Sequence, residues 1–206
     1  MRRFIVLSAV ASLALAGTAI AATAAKPAPK AAPAAAAKGG AAKWAVNAAG
    51  SSLGFASSFS GTQFTGSFKR WTADIAFDPK NLAASKATVT IDMTSAATGD
   101  PSRDESLPTD DWLASGKFKT ATFTTTSIKD LGGGKYQAPA NLTIRGVTKP
   151  VVLNFTVAIT GDQAKMTGTT VINRSQFGVG QGQWAGADTV PFNVTVNVSV
   201  TAKKAG

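Results

Sequence analysis

Phe192-Asn193-Val194-Thr195-Val196-Asn197-Val198-Ser199-Val200 decides how the rest of the chain is read. Every second residue from Phe192 to Val200 is apolar, and each residue between is small and polar. Successive side chains of a strand point to opposite faces, so the segment has one apolar face and one wet face. The alternation recurs upstream. Leu53, Phe55 and Phe59 share one parity, and Phe64, Gly66 and Phe68 share another. Ala87, Val89, Ile91 and Met93 alternate with Thr88, Thr90 and Asp92, and Val151 to Ile159 repeats the pattern. Between Phe68 and Trp71 the apolar parity slips by one residue. Such a slip needs a bulge, placed at Lys69-Arg70, and bulges bend strands.

Turn signals separate these runs: Ser60-Gly61-Thr62, Asp78-Pro79-Lys80-Asn81, Leu131-Gly132-Gly133-Gly134, Arg145-Gly146 and Gly161-Asp162. The rhythm implies an all-β domain of about eight strands. The pattern alone fits a sandwich as well as a barrel. The stretch from Ser95 to Lys119 breaks the rhythm and has room for a short helix within 104–114, with Asp110 as a candidate cap.

The chain has 206 residues and three kinds of sequence. Met1-Arg2-Arg3, the uncharged apolar run Phe4 to Ala16 and the small residues of Ala19-Ile20-Ala21 have the layout of a secretory signal peptide, residues 1–21. Residues 22–43 are almost wholly Ala, Pro, Lys and Gly, the composition of a disordered linker. Residues 44–206 form one domain, large enough for a core of its own. The formal charge of +10 overstates that domain, which carries 15 basic and 11 acidic residues. A balance so mild argues against nucleic acid and leaves room for a weak, transient attraction to membrane surfaces. A homodimer is compatible with the sequence, which does not specify an oligomeric state.

The chain has no Cys and no His. The commonest general base and metal ligand are therefore absent, and no metal or cofactor site is expected. Asp104-Glu105 and Asp110-Asp111 are paired carboxylates, but no nucleophile or base accompanies them, and an enzyme is not expected. Gly132-Gly133-Gly134 and the glycines of 178–182 do not open helices, so they do not form phosphate cradles. Apolar capacity remains as the signal. Phe55, Phe64, Phe68, Ile91, Met93 and Phe123 are the candidate lining of a barrel interior.

Several motifs resemble the YceI-like family. Ser95-Ala96-Ala97-Thr98, Arg103-Asp104, Leu107 and Trp112-Leu113 are similar to its central signature, as is Lys119-Thr120-Ala121-Thr122-Phe123. Asn141-Leu142-Thr143-Ile144-Arg145-Gly146-Val147-Thr148-Lys149-Pro150-Val151 and Asn173-Arg174-Ser175-Gln176-Phe177-Gly178 resemble its later elements. The resemblance spans 44–206. It implies a single antiparallel lipocalin-like barrel in the periplasm that binds a polyisoprenoid or isoprenoid quinone as a carrier, without catalysis. Arg103, Arg145 and Arg174 are the candidate head-group residues. Many members carry His where this chain has Ser106, which bears on head-group preference. The rival expectation is a filled barrel acting as an envelope interaction or stress-response module without a lipid.

Overall fold

The alternating segments form strands throughout the computed structural model, which describes residues 40–205. In chain order they are β1 (Lys43–Val46), β2 (Ser52–Phe59), β3 (Thr62–Phe68), β4 (Trp71–Ala76), β5 (Lys86–Asp92), β6 (Ala96–Ala97), β7 (Thr120–Thr125), β8 (Lys129–Gly132), β9 (Lys135–Ile144), β10 (Val147–Thr160), β11 (Gln163–Asn173) and β12 (Asn193–Lys204). The helix α1 spans Pro101–Ser106. The expected signal peptide and all but the last residues of the expected linker lie outside the described residues.

Every ladder is antiparallel, and several strands are halves of one stave. β12 pairs with both β1 and β2. The neighbouring stave is β4 beside β1 and β3 beside β2. β5 with β6 and β7 with β8 are likewise continuous staves, followed by β9, β10, β11 and β12. The twelve strands therefore make eight staves, and the pairing of β12 with β1 and β2 closes them into a barrel. The choice between barrel and sandwich, open on pattern alone, falls to the barrel.

The breaks within staves explain the slips in parity. Lys69-Arg70 separates β3 from β4, so Phe64 and Phe68 on one side and Trp71, Ala73 and Ile75 on the other all face the interior. Arg70 fastens this kink by donating to Asp92 and to the Thr94 hydroxyl, both at 2.8 Å. A 3-10 turn at Ala48–Gly50 plays the same part between β1 and β2, where the Asn47 side chain accepts from Ala49 N at 3.1 Å. Arg145 and Gly146 have φ of 51° and 74°. Two successive positive values make the type I′ turn whose twist suits a tight hairpin.

The helix lies earlier than the sequence suggested. Asp100, not Asp110, caps it, accepting from Arg103 N at 3.0 Å, and Pro101 occupies the first turn. It ends at Ser106: Leu107, still in αR geometry, donates its N–H to the Arg103 carbonyl, and Pro108 after it has no N–H with which to continue the ladder. Residues 107–118 continue as turns, and Asp110 pairs instead with Lys117 at 2.6 Å.

Candidate functional site

The inward rows of the staves do not fill the barrel. They surround a cavity of about 540 Å³ whose wall is mostly Phe, Val, Ile, Leu, Met and Ala. Its size lies within the range of small-molecule sites. The rival expectation of a filled barrel does not fit this interior. Phe55, Phe64, Phe68, Ile91, Met93 and Phe123 all line the cavity. Val194, Val196, Val198 and Val200, from the alternating stretch 192–200, line it too.

The two ends differ. At the end where β1 begins and β12 finishes, aromatic packing closes the interior. Phe77 meets Tyr136 edge-on at 5.3 Å, and Tyr136 stacks on Phe155 at 5.3 Å. Trp44 Nε1 donates to the Phe77 carbonyl at 2.9 Å and locks the cluster to the 77–85 loop. The other end is rimmed by the β2–β3 hairpin, α1 and the 174–192 segment. Phe59, 40% exposed, lies 6.1 Å from Trp184, which lies 5.6 Å from Trp112. Thr98, Asp100, Ser102, Arg103 and Ser106 bring polar atoms to this rim, which we call the mouth.

The three candidate head-group arginines have separate surroundings. Arg103 lines the cavity. Its guanidinium carbon stacks 4.8 Å from the centre of the Phe64 ring, and it pairs with Asp100 at 3.4 Å. Arg145 does not line the cavity; its Nη1 donates to the carbonyls of Asp110 and Trp112 and so ties the β9–β10 turn to the loop after α1. Arg174 reaches the wall but is only 2% exposed. Its Nε, Nη1 and Nη2 donate to the carbonyls of Pro191, Val179, Gly180, Trp184, Gly186 and Val190 at 2.7–3.3 Å. Among the described residues no acid forms an ion pair with it, and burial pulls its pKa below the ordinary arginine value. Arg174 thus acts as the hub of the 178–191 loop. The sequence pointed to its charge; its role depends on a loop that folds back over it.

Buried polar side-chain atoms without a partner are few among the described residues: Ser57 Oγ, Arg103 Nε and Trp112 Nε1. All three residues line the cavity. Ser57 stands opposite Phe64 in the β2–β3 ladder, and Arg103 covers the Phe64 ring, so two of the three flank one aromatic side chain. An unpaired buried donor costs about 1–3 kcal/mol, and here that cost is concentrated along the wall near the mouth.

Asp104 moors the rim. Its carboxylate accepts from Thr98 N at 2.6 Å, the Thr98 hydroxyl at 2.7 Å and Gly99 N at 3.2 Å. The Thr98 hydroxyl, then the Thr98 backbone N–H, hold its pKa below the usual carboxylate value. A depressed folded-state pKa means that the mooring is intact above the ordinary range near about 4 and is lost as pH falls through the lowered value. The amide resonances of Thr98 and Gly99 should therefore titrate below that range in an NMR pH series. An Asp104→Asn variant should lack the transition. Titration at an ordinary aspartate value would contradict the mooring.

A closed antiparallel barrel around one apolar cavity, rimmed with polar groups at one end, is the architecture of a small binding protein of the lipocalin-like kind. A family model for the YceI-like domain matches residues 44–202, and the chain belongs to that family. A UPF0312 protein of Vibrio vulnificus is 35% identical over 148 residues, which is 68% of this chain and 78% of the relative. Among solved structures, BcnA of Burkholderia cenocepacia has a TM-score of 0.74 at 32% identity, covering 77% of this chain and 99% of BcnA. A polyisoprenoid binding domain from Saccharophagus degradans has a TM-score of 0.63 over 80% of this chain and 99% of its own. At 18% identity that last likeness speaks for the fold alone.

Proposed function

We propose that the protein binds and carries an isoprenoid lipid, either a polyprenyl chain or the tail of a quinone, inside the barrel. The observation that carries this reading is the cavity itself, a single apolar space of about 540 Å³ reaching from the closed aromatic end to the mouth. A flexible hydrocarbon gains about 25 cal/mol for each Å² removed from water and needs few polar contacts along its length. The description of the Saccharophagus domain as polyisoprenoid binding agrees with this assignment. The layout of residues 1–21 supports work in the periplasm.

The polar end of the lipid belongs at the mouth. There Arg103 offers a cation beside Phe64, and the unpaired donors of Ser57 and Trp112 adjoin the same wall. Arg145 and Arg174 contribute by holding the loops around that end. Binding of this kind needs no catalytic group.

Protein isolated from its native host, extracted with organic solvent and analysed by mass spectrometry, should release a prenyl lipid in near-stoichiometric amount. Fractionation of the host should place the protein in the periplasm. Extracts without prenyl lipid, together with no uptake of added polyprenol or prenylquinone by the stripped protein, would overturn the reading.

A further inference from the structure

We propose that the closed end of the barrel is a docking surface for an anionic lipid bilayer. The argument starts from where the topology puts charge. β1 and β5 begin at this end, β4 and β12 finish there, the 77–85 loop joins β4 to β5, and the β8–β9 and β10–β11 hairpins turn there. Lys43, Lys80, Lys86, Lys129, Lys135, Lys165, Lys203 and Lys204 all belong to these segments, and all are exposed. Asp74, Asp78, Asp130 and Asp162 are the acids at the same end. Eight lysines against four aspartates leave four uncompensated positive charges. Elsewhere in the described residues, eight basic groups meet seven acids. The net charge of the domain is thus gathered at one pole.

Few of these lysines are held by partners. Lys43 pairs with Asp74 at 2.6 Å, and Lys203 with Asp162 at 3.3 Å. Lys80, Lys86, Lys129, Lys135, Lys165 and Lys204 make no ion pair among the described residues. A cluster of this size matches the basic patches that read as anionic-lipid binding, and each lysine near such a surface adds attraction that fades within a Debye length.

The second observation is apolar. Leu131, at the tip of the β8–β9 hairpin, is 58% exposed, and Ile159, near the end of β10, is 36% exposed. Gly132, Gly133 and Gly134 follow Leu131, all with positive φ, so the tip carries little side chain besides that leucine. Stable attachment to a bilayer takes two signals, basic charge and an inserted apolar group. This pole has both, and an apolar tip is what distinguishes a bilayer from nucleic acid as the partner. Phe77, Tyr136 and Phe155 close the interior here, so docking leaves the mouth, with Arg103 and Trp184, facing away from the bilayer. The protein would hold to one surface while its open end stays free to exchange cargo.

The test is flotation of the full-length protein with vesicles of phosphatidylglycerol and phosphatidylethanolamine, and with pure phosphatidylcholine. Binding should appear on the anionic vesicles only and fall steeply with salt. Replacing Lys80, Lys129, Lys135 and Lys204 by Glu should weaken partitioning by at least tenfold, at about fivefold per lysine close to the surface. Leu131→Ser should weaken it severalfold with no change in salt dependence. Reversing Lys69, Lys119 and Lys149, which lie away from this pole, should leave binding in place. Equal binding to both vesicle types would overturn the proposal. So would an equal loss in the two reversal sets, or a loss confined to a Lys26, Lys30 and Lys38 to Gln variant of the preceding segment. Prenyl-lipid uptake in detergent solution, measured on the same variants, is independent of this outcome and tests the cavity separately.

Discussion

Replacing Arg174 with alanine should lower the melting temperature by about 8–16 °C, the largest loss expected from any single surface-remote charge in the domain. The residue donates to six backbone carbonyls and is almost fully buried. Hydrogen bonds to a charged group contribute about 1.5–3 kcal/mol each, and they are not additive, so about 4 kcal/mol is a conservative total. At 2–4 °C for each kcal/mol in a domain of this size, that gives the stated range. Alanine leaves the carbonyls of the 178–191 loop without a donor. It also removes the cation that lies 5.6 Å from the Trp112 ring and 5.4 Å from the Phe192 ring. Lysine should recover only part of the loss, because three donors on one nitrogen cannot span carbonyls spread around a planar fork. The loop carries Val179, Trp184 and Val190 to the cavity wall, so lipid affinity should fall with stability. Circular dichroism melts check the first claim. A shift under about 3 °C would mean that the loop is held by something other than Arg174.

Which parts of this architecture the sequence disclosed follows from how local each cause is. Alternation is a property of neighbouring residues, so the strands are legible, as is the common parity of Phe64 with Phe68 and of Ile91 with Met93; that these rows face inward is not. The slip at Lys69-Arg70 was legible for the same reason, although only the pairing of β4 with β1 shows that the kink joins two halves of one stave. Parity says which side chains share a face. It does not say whether that face encloses a packed core or a cavity, which depends on how far apart opposite walls stand. Asp110 before an apolar pair looks like a cap, whereas Asp100-Pro101 supplies both the cap and the fixed φ, so the helix lies earlier than the expected 104–114 stretch. Arg145 and Arg174 read as charges for a ligand. Their partners are carbonyls of segments distant in sequence, and a carbonyl leaves no trace in residue identity. The rim formed by Phe59, Trp112 and Trp184 is not legible in the sequence because its members come from the end of β2, the turns after α1 and the 174–192 segment, far apart along the chain.

Gly66→Ala should cost little stability and much affinity, a separation that few substitutions in a barrel wall would produce. Gly66 is paired directly with Phe55 across the β2–β3 ladder. A Cβ at position 66 would lie 2.2 Å from Phe55 Cζ and 2.7 Å from both Cε atoms. The ring therefore occupies the space that a side chain at 66 would need. What would be displaced is the far end of one side chain, not backbone, so the cost should stay near the low end of the about 1–3 kcal/mol typical of overpacking. The ring's neighbours fix where it goes. Phe68 is 5.5 Å away on the same face, and the free space lies inward. A ring turned into the cavity fills space that the lipid would otherwise occupy and leaves part of the lipid in water. Losing contact over about 55 Å² at about 25 cal/mol per Å² removes roughly 1.4 kcal/mol, a tenfold weakening. Titration with a prenylquinone should show that loss beside a melting temperature lowered by only a few degrees. The double variant Phe55→Ala with Gly66→Ala should regain most of the affinity, because no ring is left to be expelled. Unchanged affinity in Gly66→Ala would mean that Phe55 finds another place to rest. Failure of the double variant to recover would mean that the ring itself is a required contact for the ligand.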